Sequence, residues 1–170
     1  LPIDHPDTPF SQKERETIKQ VLKSILEDEN IKKVAHNAKF DIKYLAVALG
    51  IHVKGLIFDT MLASYLLNEE GGEHGLKDLA LRYTDMGSYE DSLDEFRKKI
   101  KPKTEEYNYA LVHMQILYYY AACDADATIR LYYILKGLLE KEDMLQTMDL
   151  MLMISRSVTE VEINGAAIDS

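Results

Sequence analysis

Residues 31–45, IKKVAHNAKFDIKYL, decide the fold because a short strand candidate runs directly into a helix. Asn37 is a residue type that begins helices, and Asp41 lies in the first turns, where the helix dipole favours negative charge. In α/β proteins such a junction lies at the carboxyl edge of the sheet, where functional sites form. The stretch therefore predicts an α/β fold with Asp41 at the sheet edge. The alternative is that both residues serve only to start the helix.

A second stretch, residues 118–126 (YYYAACDAD), lies within a helix that the sequence pattern predicts from about residue 114 to residue 139. Tyr120 and Asp124 are four residues apart, which places them one turn apart on one face of that helix. A carboxylate can hold a divalent cation while a phenol hydroxyl beside it positions a water molecule, as a metal-dependent hydrolase requires. The same spacing also occurs on solvated helices without a function, so the pair alone leaves both interpretations open.

The composition is that of an ordinary globular domain of 170 residues, 46% of them hydrophobic and 29% charged. The net charge of −9 argues against an autonomous binder of duplex nucleic acid, which normally carries a basic face. It suits a site that gathers carboxylates around metal ions. Cys123 is the only cysteine, which excludes an intrachain disulfide and indicates a reducing, cytoplasmic compartment. No apolar run is long enough to span a bilayer, so we expect no membrane partner.

Local signals predict where several helices begin. Ser11 and Glu14 form a capping box before a helix whose apolar residues recur at helical spacing, so we expect that helix to bury one face against a sheet. Asp59 is expected to cap the helix that follows it, and a short helix is predicted over residues 76–83.

Three segments, taken together, closely resemble one family: NAKFD at residues 37–41, FDTMLASYLLN at residues 58–68 and YAACDAD at residues 120–126. The family is the 3′–5′ exonuclease (proofreading) domain of bacterial and phage DNA polymerase I, family A, in the tyrosine-bearing branch of the DEDD exonucleases. The resemblance implies a ribonuclease-H-like α/β exonuclease fold. It also implies that residues 1–150 are the C-terminal portion of the exonuclease domain and that residues 151–170 start the polymerase domain.

The family's first motif, an Asp-x-Glu on the first strand, has no match among the 170 residues. We therefore expect a fragment without the N-terminal strands, in which helix dominates over sheet and in which a helix face that those strands would cover, such as that of residues 18–26, forms an exposed apolar patch. By resemblance, the missing pair supplies the ligand shared by two metal ions. The chain alone is therefore expected to be inactive as a nuclease.

For the parent protein, the resemblance implies two-metal hydrolysis of the 3′-terminal nucleotide of single-stranded DNA, with two Mg²⁺ or Mn²⁺ ions as cofactors. Asp124 would be a direct metal ligand, Asp41 would serve the second ion, and Tyr120 would orient the attacking water. The polymerase domain of the same parent chain is the expected protein partner.

Substrate binding falls, by the same resemblance, to Asn37, Phe40 and Tyr89. Asn37 would brace the site or the substrate end, and the Tyr89 ring would stack on the terminal base. Stacking tolerates any base, which suits a proofreading enzyme.

Two alternatives remain open at the level of sequence. A ribonuclease-D-like 3′–5′ exoribonuclease shares the tyrosine-bearing motif, although residues 58–68 and the polymerase-like C-terminus favour the DNA enzyme. The other alternative is a non-catalytic scaffold domain of a polymerase. Comparing the degradation of DNA with that of RNA by the complete protein tests the first alternative. Metal titration of the complete domain tests the second.

Overall fold

A computed structural model describes residues 3–89 and 109–165. Within these ranges the chain forms α1 (Gln12–Glu27), β1 (Lys33–Ala35), α2 (Ala38–Leu49), β2 (Leu56–Asp59), α3 (Thr60–Leu67), α4 (Leu76–Tyr83), α5 (Met114–Lys141) and α6 (Leu145–Asn164). One-turn 3-10 helices follow α3 at Glu69–Gly71 and precede α5 at Tyr109–Leu111. The helix-dominated α/β class predicted from the sequence is confirmed.

The two strands pair in parallel, with Val34 opposite Phe58 and Ala35 opposite Asp59. Parallel strands need a crossover connection, and α2 supplies it. Both strands therefore end at the same edge of the sheet, and each runs almost directly into a helix there. This edge positions the junctions that begin α2 and α3.

Gly55 lies immediately before β2 at a position that requires glycine. Its φ is +70°, and a Cβ at this position would lie 2.6 Å from the carbonyl oxygen of Ile31 and 2.8 Å from that of Glu29. A side chain would therefore clash with backbone as well as strain φ. The chain passes Gly55 in this turn, and β2 starts at the next residue, Leu56.

The core lies between the sheet and the helices that cover it. α5 packs on α3 and α4, while α6 packs on α2, α3 and β2. Five residues of α5 and α6, each at most 5% exposed, form the centre of this core: Leu131, Leu135, Leu139, Met148 and Leu152. The residues that form this core repeat at helical spacing, which the sequence pattern predicts.

The C-terminal helix continues past the domain boundary expected after residue 150. α6 extends through Asn164, and Leu152 and Thr159 beyond that boundary are buried. Residues 166–170 lie outside the described part of the chain. The division into residues 1–150 and 151–170 stays a prediction.

One helix differs from its expected packing. The capping box is confirmed, because the Glu14 amide donates to Ser11 Oγ at 3.4 Å and the Ser11 amide donates to Glu14 Oε2 at 2.8 Å. However, α1 contains no buried residue, and Val21 and Ile25 on its apolar face are 51% and 41% exposed. The expectation that α1 buries one face is wrong for the described residues, because β1 and β2 lie under other helices. The exposure of Val21 and Ile25 agrees instead with the apolar patch expected where covering strands are missing.

Candidate active site

A cleft of about 730 Å³ opens at the carboxyl edge of the sheet, between the β1–α2 junction and α5. It brings together side chains from segments that lie far apart in the sequence. Five residues singled out in the sequence line it: Asn37, Phe40, Asp41, Tyr120 and Asp124. The two predicted carboxylates and the predicted tyrosine thus share one cleft.

Asp59 connects the two helix starts at this edge of the sheet. The residue is 2% exposed, and its carboxylate accepts hydrogen bonds from the amides that begin two helices. Oδ1 accepts from Asn37 N at 3.1 Å and Met61 N at 2.9 Å, and Oδ2 accepts from Ala38 N at 2.7 Å. The predicted cap of α3 is confirmed, and the same group also caps α2. A negative charge at two helix N-termini is favourable because both dipoles point toward it.

Asn37 occupies the N-cap position of α2 as the sequence predicts, but its side chain makes no capping hydrogen bond. It adopts the left-handed conformation, with φ 55° and ψ 49°, which Asn tolerates better than most residues. The capping interpretation of its side chain is therefore wrong, because Asp59 already satisfies the amides there. The residue lines the cleft instead.

Asp41 lies in the first turn of α2, on the cleft side. Burial raises the pKa of its carboxyl above the ordinary value of 3.8, and the negative charge of Asp59 raises that pKa further. A positive charge in the cleft would relieve both effects. A cation bound in the cleft would therefore favour the ionised form of this carboxyl.

Tyr89 holds the carboxylate of Asp124. The Tyr89 hydroxyl donates to Asp124 Oδ1 at 2.9 Å, and the Tyr89 and Tyr120 ring centroids lie 6.4 Å apart. Tyr89 is 8% exposed and packs with Ala80 and Ala127. Its ring is therefore turned into the protein in this structure, not presented to a base as expected. Its hydroxyl instead contacts the site through the hydrogen bond to Asp124.

His36 and Lys32 also line the cleft, although the sequence patterns did not single them out. His36 Nδ1 lies 2.9 Å from Thr60 Oγ1. Burial lowers the pKa of the His36 imidazole, and the charge of Asp59 opposes this shift. The available signal was position, since His36 stands at the end of β1 immediately before Asn37.

The side chains of the cleft fit a site for a hydrated divalent cation but not a fixed two-ion site. Asp41 and Asp124 offer two carboxylates to the cleft, and in residues 3–89 and 109–165 no cluster of three or more His, Cys, Asp or Glu side chains could hold a metal ion. Mg²⁺ is commonly held by one or two carboxylates while it keeps several waters. The cleft therefore fits a hydrated divalent cation, and its described residues do not fit a fixed two-ion cluster.

Two other acidic side chains near the motifs are already engaged. Asp126 accepts from Arg130 Nε at 3.0 Å, and Arg130 also contacts Asp85 at 2.9 Å. Asp59 is committed to the helix amides. Neither Asp126 nor Asp59 lines the cleft. They are therefore poor substitutes for a missing pair of metal ligands.

Comparison with known proteins gives one family. The family model described as 3′–5′ exonuclease, of DNA polymerase A, matches residues 5–140. The DNA polymerase of Escherichia phage T5 is 43% identical over 133 residues, covering 73% of this chain and 16% of that polymerase. DNA polymerase I of Pseudomonas aeruginosa is 32% identical over 164 residues, covering 94% of this chain and 17% of that polymerase. The chain thus spans less than a fifth of either relative.

Two solved structures share the fold. The POL domain of Pol1 from M. smegmatis, in complex with a DNA primer-template and a dNTP, aligns with a TM-score of 0.65 and 29% identity over 96% of this chain and 24% of that one. Brucella melitensis NrnC aligns with a TM-score of 0.67 and 25% identity over 88% of this chain and 66% of that one. These likenesses confirm the predicted ribonuclease-H-like exonuclease fold. In the described part of the chain, no helix combines the length and hydropathy of a membrane-crossing helix.

Proposed function

Because the chain belongs to the 3′–5′ exonuclease family of DNA polymerase A, we propose that its cleft removes nucleotides one at a time from the 3′ end of single-stranded DNA, as the proofreading site of a larger polymerase. The observation that carries this proposal is the meeting of Asn37, Asp41, Tyr120 and Asp124 in one cleft. The polymerase domain of the same parent chain and a cytoplasmic location are parts of the proposal.

In the proposed mechanism, Asp124 and Asp41 would hold a hydrated divalent cation, Mg²⁺ or Mn²⁺, at the cleft. When bound there, such ions supply Lewis-acid activation of water and charge neutralisation at the phosphate. The Tyr120 hydroxyl, one turn before Asp124 on α5, orients the attacking water, because a phenol can both donate and accept a hydrogen bond. Tyr89 fixes the Asp124 carboxylate through the 2.9 Å hydrogen bond to Oδ1.

Substrate binding in this proposal uses Asn37 and Phe40. Phe40 is 69% exposed although it is aromatic, and it lines the same cleft as the carboxylates. An exposed ring beside a nuclease site is suited to stack on a base of any identity. The net charge of −9 fits a site that gains affinity for DNA from bound cations more than from a basic surface.

The test uses the full-length protein that contains this domain, with 5′-labelled single-stranded DNA and Mg²⁺ or Mn²⁺. We expect stepwise shortening from the 3′ end, abolished by Asp124→Ala and slowed by about ten- to a thousandfold in Tyr120→Phe, since single positioning and electrostatic groups are worth roughly this much. Metal binding should survive Tyr120→Phe. Equal metal affinity in wild type and Asp124→Ala would show that Asp124 is not a ligand.

An RNA arm of the same assay separates the exoribonuclease alternative. The likeness to Brucella melitensis NrnC, whose name does not describe a polymerase, is the observation that favours this alternative. The 43% and 32% identities to polymerases favour DNA. Preferential shortening of RNA would support the exoribonuclease alternative. If neither DNA nor RNA is cleaved, with or without added metal ions, the non-catalytic scaffold alternative would be supported.

A further inference from the structure

Residues 85–89 are joined to α5 by a polar contact at each end. At one end, Arg130 Nη1 donates to Asp85 Oδ1 at 2.9 Å. At the other end, the Tyr89 hydroxyl donates to Asp124 Oδ1 at 2.9 Å, which is the contact to the proposed metal ligand. Neither Arg130 nor Asp85 lines the cleft. The segment that carries Tyr89 therefore has a second attachment to the same helix, outside the cleft.

The segment follows one row of residues on the surface of α5. Asp124, Ala127 and Arg130 are spaced three residues apart, so they are neighbours along the helix surface. Ala127 is buried and packs with Tyr89 between the two polar contacts. Displacement of the segment from α5 at the Arg130 end would therefore loosen the packing that places the Tyr89 hydroxyl on Asp124.

The backbone of the segment gives it little rigidity of its own. Gly87 lies between the two contacts, with a φ of +64°. Because glycine adopts left-handed and right-handed backbone conformations about equally well, local sterics select this path only weakly. Contacts with α5 must therefore contribute to holding the segment where Tyr89 reaches Asp124.

Asp126 holds Arg130 in the orientation that reaches Asp85. It lies one turn before Arg130, and its two carboxylate oxygens each lie 3.0 Å from Arg130 Nε. Because the guanidinium is a rigid plane, fixing Nε also orients Nη1. Isolated exposed ion pairs contribute little to stability, whereas networks of several charges can contribute more. All three side chains remain partly exposed, so we expect an effect of a few fold and not the loss that follows removal of a metal ligand.

We propose that Arg130 is a positioning residue for the nuclease site, which holds residues 85–89 on α5 so that the Tyr89 hydroxyl stays on Asp124. This inference rests on the proposed function, because it assigns Arg130 a part in nuclease activity. Arg130 acts through Tyr89 and not by contact with the substrate.

The first test measures amide hydrogen exchange of residues 85–89 in the full-length protein by mass spectrometry. Arg130→Met and Asp85→Ala should each lower the protection of these amides by about two- to fivefold, the range for one exposed ion pair. Arg82→Met is the matched control, because Arg82 forms an exposed ion pair with Glu73 at 3.2 Å that involves neither the segment nor α5. Unchanged protection in Arg130→Met and Asp85→Ala would overturn the proposal. This readout needs neither metal nor nuclease activity.

The second test measures kcat and KM of the full-length protein on single-stranded DNA. Arg130→Met should lower kcat by about two- to fivefold with little change in KM, because the orientation of Asp124 changes and the contacts with DNA do not. Asp85→Ala should reproduce this loss although it keeps the charge of Arg130. If Arg130→Met is impaired and Asp85→Ala is not, Arg130 acts by its own charge and the proposal is wrong.

Combining Arg130→Met with Tyr89→Phe shows whether Arg130 acts through the Tyr89 hydroxyl. Once the hydroxyl is removed, Arg130→Met should have no further effect on kcat, so the double variant should match Tyr89→Phe. Losses that multiply would show that the two residues act independently, which would contradict the proposal.

The role of Arg130 and the nuclease function of the cleft can be told apart by these measurements. If wild-type full-length protein shortens DNA and Arg130→Met matches it in kcat, the role of Arg130 is wrong and the proposed function stands. If the wild-type protein has no nuclease activity, the proposed function fails and this inference fails with it.

Discussion

The tyrosine that contacts Asp124 is the clearest example of a single residue that shapes the site. Tyr89 is buried, yet its hydroxyl reaches Asp124 Oδ1 at 2.9 Å, from a position 35 residues earlier in the chain. A carboxylate that binds a cation needs its other oxygen lone pairs occupied by donors to stay in one orientation. We therefore regard Tyr89 as a positioning residue for Asp124.

Replacing Tyr89 with Phe tests this role. Tyr89→Phe keeps the buried ring, so we expect little change in the free energy of unfolding. Nuclease activity or metal affinity of the full-length protein should fall by about 10- to 100-fold, as for other hydrogen-bonding partners of metal ligands. Tyr133→Phe is the matched control, because Tyr133 is 69% exposed and does not line the cleft. Unchanged activity in Tyr89→Phe would remove Tyr89 from the mechanism.

The raised pKa of Asp41 gives a pH-dependent stability effect in metal-free buffer. Because the folded-state pKa lies above the ordinary 3.8, the ionised carboxylate disfavours the fold at neutral pH. This cost declines as pH falls through the raised pKa, and it vanishes below the ordinary value, where the group is protonated in both states. Asp41→Asn should therefore increase the free energy of unfolding at pH 7, and the increase should disappear in acid. Denaturant titrations from about pH 3 to pH 7 measure it; an equal difference at every pH would contradict the raised pKa as its cause.

At the scale of elements, one buried carboxylate joins two helix starts. Asp59 accepts hydrogen bonds from the amides of Asn37 and Ala38 at the start of α2 and of Met61 and Leu62 in α3. The β1–α2 junction, which presents Asn37 and Asp41 to the cleft, thus depends on a residue at the end of β2. The geometry of the site is therefore coupled to this cap.

Removal of the cap is expected to be costly. Asp59→Ala leaves buried amides at two helix N-termini without an acceptor, so the free energy of unfolding should fall by about 2–4 kcal/mol. Ser11→Ala removes an exposed cap and should cost only about 0.5–1 kcal/mol. Chemical denaturation of both variants provides the comparison. Equal losses in the two variants would show that Asp59 does not hold the two helices together.

Local interactions were predictable from the sequence and nonlocal ones were not. The capping box of Ser11 and Glu14, the cap of α3 by Asp59, and α4 at Leu76–Tyr83 are confirmed because each depends on neighbouring residues. The second cap made by Asp59 depends on strand pairing across 21 residues. No periodicity or spacing rule reports such a contact.

The same limit applies to the site. Motifs identified five of the side chains that line the cleft, because their types and order are local properties of the sequence. The burial of Tyr89 and the contact between His36 and Thr60, 24 residues apart, arise only when helices pack on the sheet. The expected burial of α1 failed for a related reason: its apolar pattern specifies a face, and tertiary structure decides what covers that face.

At the scale of the whole molecule, the described cleft has few charged ligands. It presents Asp41 and Asp124, and the nearby Asp126 and Asp59 are engaged elsewhere. The 170-residue chain alone should therefore bind Mg²⁺ or Mn²⁺ weakly. We expect a Kd in the millimolar range, which corresponds to about −4 kcal/mol.

Weak metal binding predicts that the 170-residue chain has no measurable exonuclease activity. The purified chain is incubated with labelled single-stranded DNA and either ion, beside Asp124→Ala. Stepwise 3′ shortening by the chain and not by the variant would contradict this prediction. It would mean that another acidic residue completes the metal site.

The most direct test of a metal-dependent site in this cleft is to locate Mn²⁺ on the 170-residue chain by paramagnetic broadening of its NMR signals. This measurement works at weak affinity and needs no nuclease activity. We predict that amides around Asn37–Asp41 and Tyr120–Thr128 broaden first, and that Asp124→Ala removes this pattern. Broadening centred on another acidic surface, or unchanged in Asp124→Ala, would contradict the assignment of this cleft as the metal-dependent site.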